Sequence, residues 1–250
     1  MGKRRLKPGP DPDFPWLSEY ERFAFPAALH AEGDIIGVGG NLSPGMLLSA
    51  YEQGIFPWYN ADEPVIWQSP NPRFVIFPGQ LHVSSSMEKI LRRGDFAVSF
   101  DRDFPAVIAG CAEVPRPGQD GTWITDDIVA AYTALHRAGW VHSAEAWDGG
   151  NLAGGCYGIR LGNVFVGESM FARKSNASKA AFITLARTLF ADKLAFIDCQ
   201  VPTPHLERLG GEEIPRREYL FLLEEILAAA EPDFDGASRR GHWGALYGRP

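Results

Sequence analysis

Hydrophobic and polar positions follow two different periods in the second half of the chain. Residues 163–167 are mostly apolar, β-branched or aromatic and predict a strand. From Phe182 to Phe190, apolar residues recur at helical spacing and predict a helix with one buried stripe. Residues 195–201 again have the pattern of a buried strand. A strand, a helix and a second strand are therefore expected in close succession.

Two polar side chains, Asp198 and Gln200, interrupt the last of these strands. Because strand side chains alternate between the two faces of a sheet, both are expected on one face. A carboxylate and an amide in an apolar strand are costly unless they are paired or used. They form either an internal hydrogen-bonded pair or part of a reaction site, and the reaction site is the favoured hypothesis.

The residues before this region predict an antiparallel meander of three strands. Strands are expected at 141–147 and 152–160, followed by 163–167, with short glycine-containing turns between them. Helices are expected on either side of the meander, with predicted N-caps at Ser43, within 84–86, at Thr125, and at Asn176 or Ser178. This order predicts an α+β fold with a mixed sheet and is compatible with N-acetyltransferase-like folds.

Shifts in composition divide the chain into four parts. Residues 1–33 are rich in proline and aromatic residues and predict an irregular lead-in. Residues 34–71 predict a small N-terminal domain of α/β type, which ends in a proline-rich boundary. The meander lies in the main domain, 72–230, and residues 231–250 predict a mobile tail.

Composition and charge exclude several classes of protein. The chain has 250 residues, 45% of them hydrophobic, which suffices for one core and a small companion domain. No apolar run approaches the ~20 residues of a membrane helix, and the basic start has no apolar core typical of a signal peptide. A net charge of -7 argues against non-specific coating of nucleic acid, but it leaves room for a local basic patch.

Cysteine and histidine usage predicts neither a disulfide framework nor a metal site. The three cysteines, Cys111, Cys156 and Cys199, are scattered, odd in number and without short paired spacing. This pattern fits a reducing cytoplasm. The six histidines show no HExxH or similar ligand spacing, so no metal is expected.

Two motifs argue against familiar acyl-transfer chemistries. Residues 167–171, GESMF, resemble the G-x-S-x-G nucleophile elbow but lack its final glycine, so a serine hydrolase is disfavoured. An acyl-CoA transferase would need a glycine-rich pyrophosphate cradle before the helix that follows. Residues 173–179 contain no glycine, which weakens that hypothesis and leaves a basic loop able to hold phosphate.

Several single residues have a structural and a functional interpretation. Glu168 either pairs with Arg173 or Lys174 or binds an amine in a pocket. Trp58 and Trp123 are either core residues or a stacking platform for a base at an RNA end. The basic residues that close one helix are either solvated or contacts for phosphate; these are Lys89, Arg92 and Arg93.

Seven stretches together resemble the leucyl/phenylalanyl-tRNA–protein transferase family. They occur in order between residues 33 and 226. The matching stretches are GGNLS at 39–43, AY at 50–51 with GIFPW at 54–58, GTWI at 121–124, GESMF at 167–171, NASK at 176–179, IDCQV at 197–201 and EIPR at 213–216.

The resemblance implies a cytoplasmic enzyme that moves Leu or Phe, and less readily Met, from aminoacyl-tRNA to proteins that begin with Arg or Lys. The product would carry an N-terminal degradation signal. The family fold implied is a small N-terminal domain with an acetyltransferase-like domain, acting as a monomer and needing neither CoA nor a metal. Two other functions stay open, a non-catalytic module that binds tRNA 3′ ends and an acyl-CoA N-acyltransferase.

The resemblance also implies a role for each site residue. Asp198 would orient Gln200, which places the attacking amine, and Glu168 would contact the substrate. An apolar pocket for the aminoacyl side chain would be formed by Cys156, Phe165, Met170, Leu185, Leu189 and Ile197. The terminal adenosine and the acceptor stem would be held by Trp58, Trp123, Tyr51, Tyr132, Lys89, Arg92 and Arg93.

Overall fold

A computed structural model describes residues 17–18, 21–113 and 123–229. Most of the predicted lead-in, Gly121 and Thr122 of one family motif, and the predicted tail lie outside these residues.

The N-terminal part of the described chain builds a small antiparallel sheet around one helix. Its strands lie in the order β1-β3-β2. The elements are a 3₁₀ turn Ala28–His30, β1 Ile35–Val38, α1 Pro44–Glu52, β2 Phe56–Pro57 and β3 Ile66–Gln68. The helix predicted to begin after Ser43 is therefore confirmed.

The remaining strands form a seven-stranded sheet in the order β10-β4-β9-β8-β7-β6-β5. Strands β6 to β8 form the predicted meander, and only β8 and β9 pair in parallel. The strands are β4 Arg73–Ile76, β5 Ala97–Phe100, β6 Val141–Asp148, β7 Asn151–Leu161, β8 Val164–Ala172, β9 Phe196–Gln200 and β10 Glu212–Ile214. The helices are α2 Ser85–Arg93, α3 Phe104–Glu113, α4 Asp126–Arg137, α5 Ala177–Ala191, α6 Pro204–Arg208 and α7 Arg216–Ala229. The α+β class and the mixed sheet are confirmed.

Apolar residues cover both faces of the larger sheet. On one face α5 and α2 pack over the sheet, and Phe165 of β8 belongs to this core. On the other face α3, α4, α7 and the N-terminal part share a second core with Val164 and Val166. The strand alternation of β8 thus directs its neighbouring residues into two separate cores.

All four predicted N-cap positions are confirmed, but only three of them cap their helix through a side-chain bond. Ser43, Ser84 and Thr125 accept bonds of 3.2, 3.3 and 3.3 Å from the third backbone N–H after each of them. Asn176 precedes α5 with a left-handed φ of 69° and makes no capping bond through its side chain.

A buried arginine at the start of α7 ties the two ends of the described chain together. The Arg216 guanidinium donates to the carbonyl oxygens of Gly33 at 2.8 Å and Ser69 at 2.6 Å, and also to Ala31. These bonds cross the predicted domain boundary at residue 71, whose position stays a prediction. They hold the N-terminal part against the larger sheet.

Candidate active site

A cavity opens where the two parallel strands of the larger sheet separate. β8 and β9 pair from Val164 with Phe196 to Val166 with Asp198, and the pairing then stops. The cavity beyond this point has a volume of about 660 Å³. One wall comes from residues 167–170 of β8 and the other from residues 199–203, at and after the end of β9.

Half of the predicted aminoacyl pocket lines this cavity. Cys156, Phe165 and Met170 lie in its wall. Phe165 and Met170 come from β8, and Cys156 is the β7 partner of Met170. These three residues contribute to the apolar wall of the cavity.

The other predicted pocket residues are core residues, and their placement in the pocket was wrong. Leu185, Leu189 and Ile197 are fully buried and do not line the cavity. Phe182 lines it instead, because it is the first aromatic residue of the α5 stripe. At 1.5 Å per residue, Leu185 and Leu189 lie about 4.5 and about 10 Å farther along the helix. Ile197 lies in the paired part of β9, before the strands separate.

Asp198 is held in a buried ion pair and does not line the cavity. The Arg73 guanidinium donates to both carboxylate oxygens, at 2.9 and 2.7 Å, and the Tyr219 hydroxyl donates at 2.8 Å. Asp198 is 0% exposed, and Arg73 is stacked 4.4 Å from the ring centroid of Tyr219. The bidentate geometry gives a strong, oriented charge pair.

Gln200 lies in the cavity wall, in a turn that breaks the strand alternation. Its φ is +60°, and the Val201 N–H donates to the Cys199 carbonyl at 2.7 Å, the bond of a γ-turn. The register with β4 also shifts here, since Val75 lies opposite Asp198 and Phe74 opposite Gln200. The expectation that Asp198 and Gln200 share one face is therefore wrong.

The contact between Asp198 and Gln200 runs through the backbone. The Gln200 N–H donates to Asp198 Oδ1 at 2.9 Å. Arg73 orients the carboxylate, and the carboxylate in turn holds the Gln200 backbone in the left-handed turn. A non-glycine residue in this region costs about 1–3 kcal/mol and persists only where its surroundings hold it.

Glu168 meets two tyrosines at the cavity wall. Tyr51 of α1 donates to Oε1 at 2.7 Å, and Tyr132 of α4 donates to Oε2 at 3.0 Å. The two hydroxyls are also in contact with each other. Burial raises the pKa of Glu168 to about 7, and the hydrogen bonds from the tyrosines oppose this rise.

The tyrosine contacts correct two predictions. Tyr51 and Tyr132 are buried behind Glu168 and do not line the cavity, so direct contact with adenosine is not available to them. Glu168 does not pair with the basic loop either. Arg173 and Lys174 form ion pairs with Glu113 and Asp148, respectively.

The two candidate stacking residues both line the cavity. Trp58 follows β2, and Trp123 precedes α4, so the two rings come from distant parts of the chain. Both are half-buried, which leaves part of each side chain accessible from the cavity. Lys89, Arg92 and Arg93 are exposed on α2, where Arg93 pairs with Asp95 at 2.6 Å.

One histidine in the cavity wall was not predicted from the sequence. His205 lies in the first turn of α6, and its Nε2 has no hydrogen-bond partner among the described residues. Burial lowers its pKa, which favours the neutral imidazole. The sequence around His205 did not indicate a site residue. α6 lies at the cavity because of the turn at Gln200, which was not predicted.

Models of one protein family match most of the chain. The model described as leucyl/phenylalanyl-tRNA protein transferase matches residues 75–224, and the model of that family's N-terminal domain matches residues 40–71.

Curated relatives carry the same description. The leucyl/phenylalanyl-tRNA–protein transferase of Desulfatibacillum aliphaticivorans is 49% identical over 91% of this chain and 94% of its own length. That of Myxococcus xanthus is 48% identical with the same coverage of both chains.

A solved structure of a ribosomal-protein-alanine N-acetyltransferase from Brucella melitensis biovar Abortus 2308 is 20% identical, with a TM-score of 0.31. The match covers 55% of this chain and 95% of that protein. Such a score is too low to assign a fold, so the acetyltransferase-like part of the fold prediction stays a prediction. The family models and the relatives of nearly equal length place the chain in the leucyl/phenylalanyl-tRNA–protein transferase family.

Proposed function

We propose that this protein transfers Leu or Phe from aminoacyl-tRNA to the N-terminus of acceptor proteins. The observation that carries the proposal is the cavity at the split of β8 and β9. Its apolar wall suits an aliphatic or aromatic side chain that is not branched at Cβ, and two tryptophans flank it. Polar groups at its edge, Glu168 and Gln200, suit an ester and an amine.

The finer parts of the proposal concern the substrates and the setting. The acceptors begin with Arg or Lys, Met-tRNA is a poorer donor, and the product carries a degradation signal. The protein acts as a monomer in the cytoplasm, where aminoacyl-tRNA is made. Within the described part of the chain, no helix combines the length and the apolar character needed to cross a membrane.

The reaction is aminolysis of an ester. A neutral amine attacks the carbonyl carbon, an oxyanion forms, and the ribose oxygen leaves with a proton. The ester is already activated, so holding the two reactants in place supplies much of the acceleration. We assign to Gln200 the placement of the amine, and to Asp198 and Arg73 the positioning of Gln200.

The cavity thiols do not take part as nucleophiles in this proposal. Cys156 and Cys199 both lie in the wall. Burial raises the pKa of each thiol well above its ordinary value. Because the thiolate is the reactive form, the aminoacyl group passes directly to the amine without a thioester.

The tRNA is held by stacking and by charge. Trp58 and Trp123 stack on the terminal adenine, and Lys89, Arg92 and Arg93 contact phosphates of the acceptor stem. Both kinds of contact are insensitive to sequence, so several tRNA species can bind. Because phosphate contacts release counterions, binding weakens as the salt concentration rises.

Trp58→Ala is expected to weaken the binding of aminoacyl-adenosine by about 1–3 kcal/mol through lost stacking. Isothermal titration with a non-hydrolysable phenylalanyl-adenosine analogue measures this change. Trp147→Ala is the matched control, since Trp147 is also half-buried but packs under Arg102 outside the cavity. If Trp58→Ala binds the analogue with unchanged affinity, Trp58 only packs against the protein and does not stack on the adenine.

The proposed function is tested by transfer of labelled Phe from Phe-tRNA to a peptide that begins with Arg. The same peptide beginning with Ala is the control. Labelling of the Arg peptide alone supports the donor, the acceptor class and the reaction together. Binding of tRNA without any transfer would instead favour a non-catalytic module that holds tRNA ends.

A further inference from the structure

Glu168, Tyr51 and Tyr132 form a closed ring of oxygen contacts. Each hydroxyl meets one carboxyl oxygen, at 2.7 and 3.0 Å, and the two hydroxyls meet each other. The carboxyl group lies in the cavity wall, whereas the two hydroxyls lie behind it. Three contacts between oxygen atoms require three protons if each is to be a hydrogen bond.

The two tyrosines supply only two of these protons. Burial raises the pKa of both phenols well above the ordinary value, so both keep their protons. If Glu168 is ionised, it accepts both hydroxyl protons and leaves the hydroxyl–hydroxyl contact without one. Two oxygen atoms facing each other without a proton repel, which opens the ring.

A protonated Glu168 completes the ring. Its O–H donates to one tyrosine, that tyrosine donates to the other, and the second donates to the free carboxyl oxygen. We propose that Glu168 is a neutral carboxylic acid in the free protein, and that Tyr51 and Tyr132 position it as a proton carrier of the transfer reaction. Loss of the proton opens the contact between the two hydroxyls, but the carboxylate still accepts a hydrogen bond from each of them.

The charged groups around the ring act on the Glu168 carboxyl in opposite directions. Asp198 of β9 favours the proton on Glu168, and Arg73 of β4 opposes it. These two form their own ion pair, together with Tyr219 of α7. Tyr157 of β7 faces Tyr132. Burial is the dominant influence and raises the pKa of Glu168 to about 7, where a group exchanges protons most readily at neutral pH.

The chemical step rests on the proposed function. The neutral amine attacks the ester carbonyl, and a bond forms between nitrogen and carbon. The bond from that carbon to the ribose oxygen then breaks, and Glu168 gives its proton to the departing oxygen. The nitrogen's surplus proton passes to the Glu168 carboxylate, so the ring returns to its first state and no other reactant is needed.

The protonation state is tested without any assay of activity. Infrared spectra of wild type and of Glu168→Gln are recorded about one pH unit below neutrality and about one pH unit above it. At each pH the spectrum of the variant is subtracted from that of wild type. We expect a carboxylic acid C=O band at the lower pH that is lost at the higher. Tyr51→Phe should move this transition to higher pH, because it removes a donor to the carboxylate. Absence of the band at the lower pH would overturn the proposal.

The control for these spectra is Glu145→Gln. Glu145 is another buried carboxyl, which accepts hydrogen bonds from Ser99 and Ser143, and it does not line the cavity. Its substitution should leave the transition of the Glu168 band in place. A transition that disappears in Glu145→Gln would belong to that residue and would also overturn the proposal.

The carrier role is tested by single-turnover transfer of Phe. Glu168→Gln keeps the ring, since its amide N–H replaces the acid O–H, but it has no proton to give. We expect turnover to fall by about 100-fold or more at unchanged tRNA affinity, and Glu145→Gln to behave as wild type. Wild-type turnover in Glu168→Gln would refute the carrier role. Transfer absent from wild type would refute the proposed function, whereas the infrared result does not depend on it.

Discussion

Asp198→Ala is expected to lower the free energy of unfolding by about 3–5 kcal/mol, because it leaves the buried Arg73 charge without its partner. Arg73 is 1% exposed and has Asp198 as its bidentate partner. Its other bonds, to the Gly54 carbonyl at 3.2 Å and the Tyr219 hydroxyl at 3.3 Å, do not neutralise it. Denaturant unfolding followed by fluorescence measures the loss.

Two variants separate the ion pair from other causes. Asp95→Ala removes the carboxylate of an exposed pair with Arg93 and should leave the unfolding curve unchanged. The double variant Arg73→Met with Asp198→Leu removes both charges and should recover much of the lost stability. If Asp198→Ala unfolds like wild type, the ion pair does not stabilise the fold and the prediction is wrong.

Gln200→Ala is expected to lower turnover by roughly 10²–10³-fold, the loss typical when one preorganised polar group is removed from a reaction site. The fold should persist, because the Gln200 N–H still donates to Asp198 and the ion pair is intact. The two variants therefore differ in kind. Asp198→Ala loses stability and activity together, whereas Gln200→Ala loses activity alone.

Single-turnover transfer and tRNA binding, measured on the same samples, test the effect of Gln200→Ala. Gln80→Ala is the control, since Gln80 is exposed and bonds Glu212 away from the cavity. A loss of tRNA affinity as large as the loss of turnover would show that Gln200 binds the tRNA and does not place the amine.

Local patterns in the sequence predicted the elements well and the site only in part. The meander and α5 followed from period and turn residues, which act over short distances. β8 is longer than predicted and continues to Ala172, because its ladder with β7 continues as far as Gly154. Met170 therefore lies opposite Cys156 in a strand that closes the cavity.

The errors at the site have long-range causes. Alternation failed at Gln200 because the γ-turn there depends on a carboxylate that Arg73, from a distant part of the chain, orients. Tyr51 and Tyr132 come from helices of different parts of the chain, and their contact with Glu168 has no local signal. The sequence contains these residues, but only the fold specifies which of them meet.

The hydrogen bonds of Arg216 can form only late in the synthesis of the chain. Translation delivers Gly33 and Ser69 long before Arg216 leaves the ribosome. Until then, the N-terminal sheet that carries Trp58 lacks the guanidinium that holds it in place. We expect a chain that ends before Arg216 to hold the Trp58 side of the cavity less firmly than the finished protein does.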